Sequence, residues 1–221
     1  MKTKLLIWPV FLLGLVIFSS AELYAENINP DNDGSQYAYS ANVGWLNFEP
    51  NVADPNAGAM ISRYELTGYV WIPNIGWISL SCANTNSCGT VDYGVVNDGS
   101  GVLSGYAWSA NAGWISFSCE NTGTCASVNY GVTIDADGVF DGWAYSQNIG
   151  WIHFQSASPV AYKVKACVVN LFDLANFVDD WLITGSGLAA DLDGDDDVEF
   201  KDYSIFTRYW RDYCPAGWQL K

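Results

Sequence analysis

Short runs of alternating residues, separated by polar turns, fill the middle of the chain. In the clearest example Tyr106 and Trp108 alternate with Ala107, and a few residues later Trp114 alternates with Ile115. Successive side chains of a β-strand point to opposite faces, so a period of two indicates strands. Asn and Gly, which tight turns favour, lie between the two runs. The pattern therefore predicts a β-hairpin.

The hairpin pattern occurs four times along the sequence. The Gly-Trp step in its second strand recurs after 32, 37 and 37 residues. Self-similarity of this kind predicts one structural unit that is used repeatedly. The four copies are Tyr37–Leu46, Gly68–Ile78, Gly105–Phe117 and Gly142–Ile152.

A third strand is predicted before the later hairpins, over Val91–Val96 and Val128–Ile134, each followed by an Asp-Gly turn. Three strands per complete unit and an initial hairpin give roughly eleven strands. We therefore expect one all-β domain over residues 26–157. The spacing leaves open whether the strands form a continuous meander, a solenoid or an open propeller-like ring.

The last part of the chain has a helical pattern and is internally duplicated. Residues 169–181 align with residues 198–210, so that each matched pair is 29 residues apart. Apolar side chains in both segments are spaced three and four apart, which predicts two short amphipathic helices that pack face to face. Residues 158–221 are thus predicted to form a separate module. The expected fold class is mostly β, with repeated antiparallel hairpins or a meander and a small C-terminal α-helical module.

An acidic loop of twelve residues, 191–202, precedes and enters the second helix. It has carboxylates at positions 1, 3, 5 and 12, which is the ligand spacing of an EF-hand-type calcium loop. A solvated acidic turn is the alternative. The predicted calcium ligands are the side chains of Asp191, Asp193 and Asp195, the backbone carbonyl of Asp197 and the closing carboxylate of Asp202.

The duplicated loop-helix pattern resembles a type I dockerin, a small calcium-dependent module that attaches secreted polysaccharide-acting proteins to cohesin-bearing scaffolds. The resemblance covers about residues 160 to 214. It implies that the partner is a cohesin-like protein or a cell-surface scaffold, recognised through positions 10 and 11 of each loop. Those positions hold Leu171, Phe172, Phe200 and Lys201.

The chain departs from the dockerin pattern at two places. Tyr162, Val164 and Ala166 stand where the first loop should carry ligands, so we expect the first half to bind no metal. Asp196 stands where the second loop normally has a glycine. A left-handed conformation is accessible to Asp at some cost, and the calcium affinity is expected to suffer.

The cysteines follow the repeats. One pair with five residues between its members recurs 37 residues later. A metal site is the alternative for these pairs, but no His accompanies them and zinc prefers tighter spacings. The third pair brackets the helical module, where two separate thiols are the alternative. The predicted disulfides are Cys82 with Cys88, Cys119 with Cys125, and Cys167 with Cys214.

The first 25 residues are predicted to be a secretory signal peptide. Lys2 and Lys4 precede an apolar run over Leu5–Phe18, and cleavage after either Ala21 or Ala25 fits the small residues there. The run is short for a membrane span. The mature protein is therefore expected to be secreted, extracellular or at the cell surface, which agrees with disulfide formation.

Charge excludes two classes of partner. The formal net charge is −15, and Arg63 is the only basic residue between positions 26 and 162. Nucleic acids and anionic membranes are bound through basic patches, so neither is an expected ligand.

The residue inventory does not favour an enzyme. His153 is the single histidine and lies in a predicted strand without a nucleophile-base-acid set. Carboxylates that a glycosidase would need occur mostly at turns, where Asp stabilises the chain. The candidates are Asp92, Glu120, Asp135, Asp137 and Asp141.

Aromatic residues at matching positions, including Trp77, Trp114 and Trp151, are expected to be mostly core, with one row per unit free for a ligand. The sequence thus predicts a secreted, non-catalytic protein whose calcium-dependent module attaches an aromatic β-repeat domain to a cohesin-like or surface partner. A structural surface protein with a calcium-stabilised module is one alternative. An accessory protein that binds polysaccharide is another.

Overall fold

The computed structural model describes residues 27–50 and 58–220 of the chain, so the predicted signal peptide lies outside the described residues. The strands are β1 (Tyr37–Ser40), β2 (Gly44–Asn47), β3 (Ala59–Ile61), β4 (Glu65–Ile72), β5 (Gly76–Ser79), β6 (Val95–Asn97), β7 (Val102–Ser109), β8 (Gly113–Ser116), β9 (Val132–Ile134), β10 (Phe140–Ser146), β11 (Gly150–His153), β12 (Gln155–Ser156) and β13 (Tyr162–Lys163), and the helices are α1 (Leu171–Asp179) and α2 (Phe200–Arg208).

Eight of these strands form a closed antiparallel barrel. Their order is β1, β2, β4, β5, β7, β8, β10 and β11, and β11 returns to β1 through the pair Tyr39 and His153. The predictions of a mostly β chain and of four antiparallel hairpins are confirmed. The barrel strands follow one another as a meander, one of the arrangements that the spacing left open, but this meander is closed because the last hairpin pairs with the first.

The interior of the barrel holds a central layer of side chains from all eight strands, with Phe48, Phe117 and Phe154 buried beside it. Small residues on the first strand of each hairpin meet larger residues on the second, a combination that suits the interior of a narrow barrel. The small members are Ala38, Val70, Ala107 and Ala144, and the larger members are Leu46, Ile78, Ile115 and Ile152, all buried.

The strands β4, β7 and β10 are long because the first half of each also pairs with short strands outside the barrel order. β4 pairs with β3 and β6, β7 pairs with β6 and β9, and β10 pairs with β9. A glycine with positive φ lies in the middle of each long strand, as at Gly105. A Cβ there would overlap the carbonyl oxygen of Gly94, so the close approach requires glycine. The predicted third strands are present as β6 and β9, but both are shorter than the sequence pattern indicates.

The segment that resembles a lost calcium loop belongs to the wall of the repeat domain. The backbone N–H of Val164 donates to the carbonyl of Phe154 at 3.2 Å, and the N–H of Phe140 donates to the carbonyl of Val164 at 2.9 Å. Val164 and Ala166 are fully buried in the same core as the barrel strands. This packing explains why residues 164 and 166 are apolar.

A second core begins at Cys167 and contains Phe177 and Phe206, whose rings lie 5.1 Å apart. The two predicted helices are confirmed. The predicted apolar stripe is only partly buried, however, because Leu171 and Val178 are exposed. We call residues 167–220 the helical module.

Backbone hydrogen bonds give the helical module an approximate internal two-fold symmetry. The N–H of Leu182 donates to the carbonyl of Val198 at 3.0 Å, and the N–H of Arg211 donates to the carbonyl of Val169 at 3.0 Å. Leu182 and Arg211 both have positive φ. The two donors are 29 residues apart and so are the two acceptors, so the duplication in the sequence is also present in the structure.

All three predicted disulfides are present, Cys82–Cys88, Cys119–Cys125 and Cys167–Cys214. They are typical of proteins that fold in an oxidising compartment. Among the described residues, no helix is long and apolar enough to span a membrane.

Candidate functional site: the acidic loop and the aromatic belt

Three of the predicted calcium ligands converge in the acidic loop. Carboxylate oxygens of Asp191, Asp193 and Asp195 lie within 4.8 Å of one another. Both oxygens of Asp191 accept backbone N–H groups, Oδ1 from Gly194 at 2.8 Å and Oδ2 from Asp196 at 2.9 Å. Side-chain oxygens are the ligands that calcium prefers, so these residues fit the ion.

The other two predicted ligands lie outside this cluster. Asp202 is fully buried, and its Oδ1 accepts the N–H of Leu192 at 2.7 Å and of Asp193 at 3.2 Å. Its Oδ2 accepts the N–H of Glu199 at 2.9 Å, which caps α2. Asp202 thus ties the beginning of the loop to the helix that follows. Asp197 forms an isolated β-bridge with Thr184.

Asp196 adopts the left-handed conformation that position 6 of such a loop requires, with a φ of +67°. The sequence-based expectation for its backbone is confirmed. Asp costs more than Gly in this region, because its Cβ crowds the carbonyl.

Lys201, a predicted partner residue, is exposed and also contacts carboxylates in and beside the acidic loop. Its ammonium lies 2.8 Å from Oδ2 of Asp195, 3.1 Å from Oε1 of Glu199 and 3.9 Å from Oδ2 of Asp193. The hydrogen bond to Asp195, followed by the one to Glu199, raises the pKa of Lys201. The same hydrogen bond is the largest cause that lowers the pKa of Asp195. A positive side chain therefore partly neutralises the acidic loop.

The first half of the helical module keeps an acidic residue without a loop of ligands around it. Asp173 is the counterpart of Asp202, is buried, and caps α1 by accepting the N–H of Asn170 at 2.9 Å. Its other oxygen accepts the indole N–H of Trp218 at 2.7 Å. The role of Trp218 was missed by the sequence reasoning. The signal available in the sequence was Asp173, because a buried carboxylate at this position needs a hydrogen-bond donor.

The remaining predicted partner residues are the most exposed apolar side chains of the helical module. Phe172 is 79% exposed and Phe200 is 76% exposed, and Leu171 is exposed with them. They lie at matching N-terminal ends of α1 and α2. The approximate symmetry therefore presents two similar apolar surfaces, one on each half.

A second candidate site surrounds the barrel. Trp77, Trp114 and Trp151 are 47%, 42% and 39% exposed, and Trp45 is similar. The expectation that these matched tryptophans are mostly core is wrong, because the barrel interior is filled by the smaller side chains that alternate with them. We call the ring formed by these four tryptophans and the Tyr and Trp side chains beside them the aromatic belt.

Tyrosines from the connecting segments extend the aromatic belt from one unit to the next. The ring of Tyr93 lies 5.4 Å from that of Trp114, and Tyr130 lies 5.2 Å from Trp151. Tyr162 lies 5.2 Å from Trp45, so the last unit covers the first. The sequence reasoning assigned Tyr93 and Tyr130 only to strands. Their recurrence before a Gly, 37 residues apart, was the available signal.

The disulfide-closed loops hold the belt in place. Asn121, which follows Cys119, accepts the N–H of Gly105 at 3.0 Å and donates to the carbonyl of the same residue at 2.6 Å. Its backbone carbonyl accepts the hydroxyl of Tyr106 at 2.9 Å. Asn84 makes the same contacts with Gly68. Each small loop therefore clamps a glycine bend and orients one belt tyrosine.

A groove of about 550 Å³ lies on the belt between the third and fourth units. Its apolar walls are aromatic rings, and polar side chains line its rim. The rings are those of Tyr93, Tyr106, Trp114, Tyr130 and Tyr145, and the polar side chains include Asp92, Thr122, Gln147 and Asn148.

His153 lies beside the belt, in contact with two of its rings. Its ring stacks on Trp143 at 4.0 Å, and its Nδ1 lies 3.0 Å from the hydroxyl oxygen of Tyr162. Burial lowers the pKa of His153, and the nearby Asp141 raises it by less. The prediction of a strand histidine with a hydrogen-bond partner is confirmed.

Comparisons with known proteins found no matching family, no matching curated protein and no matching solved structure.

Proposed function

We propose that the protein is a secreted, non-catalytic protein whose helical module, ordered by calcium, attaches the barrel to a cohesin-like or cell-surface partner. The observation that carries this proposal is the duplicated pair of exposed apolar surfaces, at Leu171 and Phe172 on one half and at Phe200 on the other. Large exposed apolar side chains that cluster at matching places are typical of interaction sites.

Calcium would be held by the carboxylates of Asp191, Asp193 and Asp195. Asp197 and Asp202 lie outside this cluster, and Asp202 would act by tying the loop to α2. The ion would supply positive charge to carboxylates that otherwise repel one another. Asp202 belongs to α2 and bonds to the loop, so order in the loop is transmitted to the helix that carries Phe200. This connection makes attachment dependent on calcium.

The first half gives a second surface that does not depend on the ion. Trp218 and the Cys167–Cys214 disulfide hold α1 in place there. A disulfide contributes about 2 to 4 kcal/mol in typical cases.

The experiment is a calorimetric titration of the full mature chain with purified type I cohesin modules, in calcium and in chelator. Binding that is tighter in calcium than in chelator, and that Phe200→Ala weakens in calcium, supports the proposal. Tyr64→Ala, at an exposed aromatic residue of the barrel, is the matched control. Calcium binding without any cohesin partner would favour the alternative of a calcium-stabilised structural protein.

A further inference from the structure

The groove between the third and fourth units has a structural origin that the other units do not share. At each seam between hairpins one pair of outward-facing residues lies side by side. The pair at the groove is Ser116 with Tyr145. At the other three seams the pairs are Ser79 with Trp108, Asn47 with Trp71, and His153 with Tyr39. Serine with tyrosine is the smallest of the four combinations, so the belt is hollow at this seam.

Three of the five rings that line the groove are held by hydrogen bonds. The hydroxyl of Tyr130 donates to Oγ of Ser116 at 3.0 Å, and that of Tyr93 donates to Oγ of Ser79 at 3.0 Å. Tyr106 is held by Asn121. Rings that are already oriented lose little conformational entropy when a ligand binds. The groove is therefore a preformed site.

The chemistry of the lining restricts the ligand. Aromatic faces stack on flat, apolar surfaces, and the amides of Gln147 and Asn148 with the carboxylate of Asp92 accept and donate hydrogen bonds at the rim. The sequence has no Lys or Arg between Arg63 and Lys163. A ligand with phosphate, sulfate or carboxylate groups would meet no counter-charge there and would be repelled by Asp92.

A pyranose ring combines the required properties. Its ring carbons present an apolar face to an aromatic side chain, while its hydroxyl groups point outward and exchange hydrogen bonds with amides and carboxylates. We infer that the groove between the third and fourth units is a binding site for a neutral polysaccharide, with a sugar ring stacked against Trp114 and its hydroxyls facing Gln147 and Asp92. The site belongs to the barrel and does not require calcium.

The test is affinity electrophoresis of the full mature chain in native gels that contain mixed-linkage β-glucan, xylan or galactomannan, with polygalacturonate as the anionic comparison. Chelator is present throughout, so failure of calcium-dependent docking does not affect the result. We expect retardation by at least one neutral polysaccharide and none by polygalacturonate. Absence of retardation in all three neutral gels, with no change in Trp fluorescence, would overturn the inference.

The repeats provide a matched control for the location. Trp114→Ala should weaken retention about tenfold, whereas Trp45→Ala, at the equivalent place in another unit, should leave it unchanged. Gln147→Ala, an exposed residue in a turn, tests the same groove if Trp114→Ala does not fold. Equal losses for Trp114→Ala and Trp45→Ala would overturn the assignment to the groove. A dimer on gel filtration that Trp114→Ala disrupts would assign the groove to a second copy of the chain instead.

Discussion

The indole N–H of Trp218 donates a 2.7 Å hydrogen bond to the carboxylate of Asp173, across 45 residues of sequence. Asp173 stands in the first half of the helical module, and the indole supplies a hydrogen-bond donor to its buried carboxylate. The buried carboxylate of Asp173 is therefore satisfied by hydrogen bonds from within the protein.

Trp218→Phe should destabilise the helical module, because it leaves a buried carboxylate oxygen without its donor. The expected loss is about 1 to 3 kcal/mol in the free energy of unfolding, measured in urea. Trp210→Phe, at a more exposed ring of the same module, should cost less. If Asp173→Asn is added to Trp218→Phe, the combined cost should fall below the sum of the single costs, and strict additivity would argue against the bond.

Removing calcium should loosen the acidic loop and spare the first half. Hydrogen exchange measured with and without chelator should accelerate at the amides of residues 194–196, which bond to Asp191. The amide of Val164, which belongs to the barrel wall, should keep its protection. Identical exchange in both conditions would mean that the loop holds no calcium.

Lys201→Met should tighten calcium binding about threefold to tenfold, because the ammonium beside Asp195 and Glu199 opposes the approach of a cation. Calorimetry of the full chain measures the change. Arg208→Met removes the same charge from the far end of α2 and should leave the affinity nearly unaltered. Equal effects of the two substitutions would indicate a general influence of net charge.

Gly105→Ala should destabilise the barrel by roughly 2 to 4 kcal/mol, since the new Cβ overlaps the Gly94 carbonyl and φ is positive. Gly44→Ala has a positive φ but meets no atom within 4 Å, and should cost only about 1 to 2 kcal/mol. Thermal and urea unfolding compare the two. A similar cost at both positions would show that the positive φ, and not the overlap with the Gly94 carbonyl, sets the cost.

Lowering the pH should destabilise the chain through His153. Burial lowers the pKa of this imidazole in the folded state, so the unfolded state takes up its proton first. The stability is complete above the unfolded pKa of about 6.5 and declines as the pH falls toward the folded pKa. His153→Gln should flatten the dependence of unfolding free energy on pH between 7.5 and 5.5. An unchanged slope would contradict this origin.

Much of the local structure follows from the sequence. Alternation predicts the hairpins, the offset of 29 predicts the paired helices, and matched spacing predicts the disulfides. These features depend on neighbours along the chain. The closure of the barrel does not, because it depends on contact between β1 and β11, which lie more than a hundred residues apart.

The direction in which the tryptophans point could not be read from alternation. Both faces of each strand are apolar, with Trp114 on one and Ile115 on the other, so the period gives two faces without saying which is inside. Volume decides the question. The central layer of this eight-stranded barrel holds Ala, Val, Ile and Leu, which are smaller than an indole, and the matched tryptophans lie outside it.

Ring closure also determines how this architecture can change. An open stack of repeats accepts another copy at either end, but a fifth unit here would add two strands to a barrel whose Ala and Ile layer is sized for eight. The enlarged lumen would be left unfilled. Duplication of a whole unit is therefore a poor route to new binding properties. Descendants of this chain should diversify by substitution at the seams, where exchanging one Ser for a Trp or His fills or opens a groove while the number of strands stays constant.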